Sequence, residues 1–84
     1  MPRIIDGKEQ NIIGANVKRL RIKKGMTQKA LSERLETFAV YVCRGSISRI
    51  ECKTRTVSDI EAFGFSQVLD VPIEQLFAEA LEGE

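Results

Sequence analysis

Arg44, Arg49, Lys53 and Arg55 lie close together in the chain, and side chains of this kind recognise negative charge. A guanidinium offers a planar fork of donors that matches a phosphate or carboxylate, and a lysine ammonium supplies a compact point charge. These four close a basic segment. All 13 Lys and Arg of the 84-residue chain fall at or before Arg55, together with five acids, and the residues after it hold seven acids and no base. Segment charges of +8 and −7 therefore hide behind a net charge of +1. Such asymmetry in one small chain points to a surface for a polyanion on one side.

Other chemistry is poorly provided for. The chain has no histidine, which removes the usual general base, most catalytic triads and mixed Cys/His zinc sites. Cys43 and Cys52 sit nine positions apart, a spacing that fits neither a metal-ligand pair nor a disulfide framework. On one helix they would be about 13 Å apart, beyond disulfide reach. Cys43 is read as a passive small residue, because nothing in the sequence marks a lowered pKa. No cofactor or metal is expected, and a chain this short leaves little room for an enzyme cleft. Free thiols, no apolar run long enough to span a membrane and no signal-peptide stretch make the cytoplasm the expected compartment.

The elements that must position the basic residues read as helices. Residues 12–24 carry Ile13, Val17 and Leu20 at helical spacing, with Asn11 as start cap and Gly25 as the terminating residue. Thr27 caps a second helix, with Met26 stapled onto Leu31, and Leu31, Leu35 and Phe38 continue its apolar face. Thr37 to Val42 suit a strand or a helix end, and one further turn followed by a short apolar loop is favoured. Ile47 and Ile50 anchor a third helix over 44–51, too short to be stable alone. Ser58 and Glu61 form a capping box for a fourth, whose apolar face is drawn from Ala62, Phe63, Phe65 and Leu69, with Gly64 allowing close packing. Pro72 opens a fifth, carrying Ile73, Leu76, Phe77, Ala80 and Leu81 on one stripe.

Leu20-Arg21, Gly25-Met26-Thr27-Gln28, Ala30-Leu31, Ser46-Ile47-Ser48-Arg49-Ile50-Glu51 and Val71-Pro72 to Leu76-Phe77 occur in an order that resembles the phage-repressor (Cro-type, xenobiotic-response-element) helix-turn-helix domain. The resemblance implies an all-α, compact, five-helix lambda-repressor-like domain that binds double-stranded DNA as a transcriptional regulator, most simply a repressor. The helix at 44–51 then enters the major groove, with Arg44, Gly45, Ser46 and Arg49 toward the bases. Arg44 and Arg49 suit guanine, Gly45 leaves little but backbone to approach, and Thr27 and Gln28 meet the sugar-phosphate backbone. Lys53 and Arg55 suit flanking phosphates, and Arg21 pairs with Glu51. The match departs from the family between its central helices. Leu31 and Ile47 lie 16 positions apart, so residues have been added around Phe38 to Val42. Subgroups with such an insertion also carry a stretch like Arg55-Thr56-Val57-Ser58-Asp59. The added residues either enlarge the core or protrude toward a partner or the DNA flank.

The organisation expected is an N-terminal arm (1–10), a DNA-binding domain (11–78) and an acidic tail (79–84). Useful specificity from so small a domain calls for a homodimer on a pseudo-palindromic operator, with half-sites about 34 Å apart. Ile73, Phe77 and Leu81 are the candidate dimer surface, although the same stripe suits the monomer's own core. The competing reading is an antitoxin-like protein-interaction module whose acidic stretch 59–84 docks on a basic protein.

Overall fold

Apolar residues at helical spacing fold residues 9–78, which the computed structural model describes, into five helices. These are α1 (Gly14–Lys23), α2 (Gln28–Glu36), α3 (Arg44–Glu51), α4 (Asp59–Leu69) and α5 (Ile73–Leu76), with no strand among the described residues. Residues 1–8 and 79–84 lie outside them, and with them Ala80 and Leu81 of the expected fifth-helix stripe and most of the proposed arm and tail.

The starts of the helices follow local chemistry. Thr27 Oγ1 accepts the backbone N–H of Ala30 at 3.0 Å. Ser58 and Glu61 satisfy each other's backbone donors, each at 3.1 Å, which is the complete capping box. The helix α1 begins two residues later than the periodicity suggests, so Ile13 and not Asn11 is its cap residue, although Asn11 Oδ1 still accepts the Gly14 N–H at 2.8 Å.

The ends share one device. After α1, Gly25 has φ +71° while its N–H reaches the carbonyl of Ile22 and the next N–H reaches back to Arg21. This pair of bonds is the Schellman closure, which satisfies carbonyls left over at a helix C-terminus. It recurs at Ala39 (φ 60°), Lys53 (φ 64°) and Asp70 (φ 57°), closing α2, α3 and α4. Only the first uses glycine. The second corrects the expected extra turn: α2 stops at Glu36, and Thr37 to Ala39 turn the chain instead.

All five helices contribute to one core, with Phe65, Leu31, Leu35, Ile47, Ile50, Leu69, Leu76 and Val17 fully buried. Two expectations fail here. Phe38 is 49% exposed, because the Schellman turn takes it off the α2 face, and Phe63 is 58% exposed. Helix α4 is apolar on nearly every side, and Val68 fills the inward position instead. Gly64 does permit close packing, since a β-carbon there would press on Val40 and Leu35 at 3.1–3.2 Å. Val40 and Val42 join the core, so the inserted residues enlarge it, while Tyr41 between them points to solvent. Helix α5 is a single turn whose Leu76 is buried in the monomer; Ile73 remains 39% exposed.

Candidate nucleic-acid interface

Helix α3 is held firmly at its C-terminal end. Glu51 receives Arg21 through Nε at 2.7 Å and Nη2 at 3.1 Å, and Gln28 Nε2 at 3.0 Å. Arg21 also donates Nη1 to the carbonyl of Met26 at 2.8 Å. The carboxylate side chain is only 3% exposed and the guanidinium 10%. A buried pair of charges persists only when the remaining donors and acceptors are also satisfied, as they are here. One cluster thus ties α1, the start of α2 and the end of α3.

A second clamp acts one residue earlier. Asn11 Nδ2 donates to the carbonyl of Ile50 at 3.1 Å and to that of Arg55 at 2.8 Å. Gly14 lies directly against the same Ile50 carbonyl oxygen, with no room for a β-carbon. Asn11 was legible from sequence only as a cap, and Gly14 was missed. Its signal was a glycine inside an apolar helical pattern, which marks close backbone approach. Asn16, also missed, is buried and donates Nδ2 to the carbonyl of Leu76 at 2.8 Å, fastening α5 to α1.

The N-terminal half of α3 is presented to solvent. Ser32 Oγ donates to the carbonyl of Val42 at 2.7 Å, fixing the chain just before the helix. Ile47 and Ile50 face inward, so Arg44, Gly45 and Arg49 are exposed and Ser46 is half-buried. Neither the Arg44 nor the Arg49 guanidinium makes a hydrogen bond or ion pair with another described residue. Nothing lies within 4 Å of a β-carbon at Gly45, so a side chain has room there. Cys43 occupies the position just before α3 without a side-chain bond to the helix backbone, and its thiol lies 3.4 Å from Ser46 Oγ. That hydroxyl, followed by backbone N–H groups and the charge of Arg49, lowers the thiol pKa, contrary to the expectation of an unperturbed cysteine. Cys43 and Cys52 are both free and exposed, at opposite ends of α3.

The flanking residues divide. Thr27 is exposed at the start of α2, whereas Gln28 turns its amide onto Glu51 and braces α3. Lys53 sits at the α3 corner with Nζ 3.4 Å from Glu9 Oε1. Arg55 is bidentate to Glu61, Nη1 to Oε1 and Nη2 to Oε2 both at 3.0 Å. This pairing raises the arginine pKa and lowers that of the glutamate. The structure therefore places Arg44, Ser46 and Arg49 on one helix, with Lys53 at its end, and directs Gln28 and Arg55 to protein carboxylates. Among the described residues, no group of three or more His, Cys, Asp or Glu is placed to hold a metal ion, and no helix is long and apolar enough to cross a membrane.

A capped α2, a connection lengthened over residues 37–43 and a polar α3 braced at its far end define a helix-turn-helix unit. The sequence pattern of the helix-turn-helix family matches residues 17–76, and the chain belongs to that family. Such proteins are DNA-binding regulators. Its fold is similar to that of the restriction-modification controller protein C.AhdI from Aeromonas hydrophila, at 25% identity and a TM-score of 0.69 over 77% of this chain and 91% of that one. It is also similar in fold to the clp gene regulator ClgR from C. glutamicum, at 22% identity and a TM-score of 0.74 over 99% and 95%. No curated protein sequence matches it.

Proposed function

We propose that this regulator acts as a non-enzymatic, cytoplasmic repressor that lays α3 in the major groove of a pseudo-palindromic operator. The observation that carries the reading is the division of labour along α3: its polar clamps gather at Ile50 and Glu51 near the C-terminal end, Ile47 and Ile50 face the core, and Arg44 and Arg49 project from its exposed face. Arg44 and Arg49 each read a guanine, with Ser46 beside them and the bare backbone of Gly45 allowing close approach. The exposed N-terminus of α2 at Thr27 and Gln28 receives a phosphate, with Lys53 neutralising another on the flank. Arg55, already paired with Glu61, is the weakest member of the set.

Homodimerisation supplies the second half-site. Ile73 and Phe77 line a shallow apolar depression with Ile12 and Val57, which supports a dimer surface there, while buried Leu76 belongs to the monomer. A protein partner has its own support, since Ile60 and Phe63 are exposed on α4 in the acidic segment.

Selection of bound sites from a random duplex library at two salt concentrations tests the reading. A two-fold motif is expected, with log K falling linearly in log salt. Unchanged duplex affinity in the Arg44→Ala, Arg49→Ala double variant overturns it.

A further inference from the structure

The inserted connection between α2 and α3 does more than enlarge the core. After the left-handed turn at Ala39, burial alternates along the chain: Val40 is buried, Tyr41 is 75% exposed and Val42 is buried again. The Ser32 hydroxyl fixes the Val42 carbonyl at 2.7 Å, so Tyr41 is held out from a strap whose two neighbours are anchored. Two residues later Cys43 occupies the position just before α3. Tyr41 shares one shallow depression with Arg44 and Ser46, both assigned here to the bases. A large aromatic ring left in water beside the leading end of a groove-binding helix needs an occupant, and the nearest one is the duplex itself.

We infer that Tyr41 is a further DNA-contacting residue, packing its ring against the duplex beside the base read by Arg44. The inference rests on α3 entering the major groove. Glu36 lies in the same depression and disfavours a phosphate within it, so the contact falls on a sugar edge or a thymine methyl. Pre-organisation of the strap makes the contact effective, because little backbone entropy is lost on binding.

Tyr41 is the single tyrosine of a chain without tryptophan, so intrinsic tyrosine fluorescence reports on it alone. Titration with a duplex chosen by the library selection is expected to change that emission, saturating with binding measured by anisotropy of a labelled duplex. Tyr41→Ala should weaken binding about fivefold to tenfold, as the apolar burial of one aromatic ring edge is lost. Tyr41→Phe should retain most of the affinity; loss in both variants also supports the contact and assigns it to the hydroxyl. Unchanged thermal melting of both variants shows that the fold is intact. If emission is unaltered at saturation and Tyr41→Ala binds as tightly as wild type while Arg44→Ala does not, this inference is overturned and the helix-turn-helix reading stands. If no duplex binds at all, both fall.

Discussion

Gln28 and Arg21 donate to the same oxygen of Glu51, at 3.0 and 3.1 Å, so a single carboxylate holds the start of α2 and the last turn of α1 against the end of α3. Removing it leaves a guanidinium buried without its counter-charge. Glu51→Leu should therefore destabilise the fold by about 3–5 kcal/mol in a denaturant melt, and adding Arg21→Met should recover much of that loss. A single variant as stable as wild type would show that the cluster carries no such strain.

The contact of Gly14 with the Ile50 carbonyl predicts a different kind of sensitivity. A methyl group there meets backbone, which cannot swing aside as a side chain can. Gly14→Ala is expected to lower stability by about 1–3 kcal/mol, despite alanine's better helix propensity, as chemical denaturation will show.

Ala39 is the one corner where an alanine adopts the left-handed conformation. Glycine reaches that conformation without a β-carbon penalty but loses more freedom on folding, so Ala39→Gly should gain a few tenths to about 1 kcal/mol. Gly25→Ala, the reverse change at an equivalent corner, should lose a comparable amount. Midpoints from matched urea titrations check both.

The Arg55–Glu61 pair gives a pH signature. Arg55 donates to both carboxylate oxygens and lowers the Glu61 pKa, against a smaller opposing effect of burial. A carboxyl whose pKa is depressed on folding adds stability above its unfolded pKa, and this is lost as pH falls through the folded value. Glu61→Gln should thus be less stable than wild type at neutral pH, with the gap closing as acid takes pH below the ordinary glutamate range. A gap independent of pH would show that capping, not charge, accounts for the difference.

Much of the scaffold was legible because its signals are local. Thr27, Ser58 with Glu61 and Gly25 act on backbone groups a few residues away, and each does what its residue type suggests. The Arg21–Glu51 pair, thirty positions apart, was reached only through the family resemblance. Gly14 and Asn16 act on Ile50 and Leu76, partners that no periodicity identifies. Phe38 and Phe63 were misplaced for related reasons: a corner without glycine concealed the end of α2, and an α4 apolar on nearly every side concealed which face turns inward. Arg55 looked like a phosphate ligand because its carboxylate partner lies in the next helix, beyond the basic segment.

The fastening of α3 at one end has an evolutionary corollary. The side chains of Arg44 and Arg49 make no hydrogen bond or ion pair with another described residue and Gly45 has no side chain, so these positions can be exchanged without touching Glu51, Asn11 or Gly14. The open space at Gly45 offers room for an additional reading side chain. Operator preference in this chain is thereby decoupled from foldability, and a new address can be written onto α3 while the frame that carries it stays as it is.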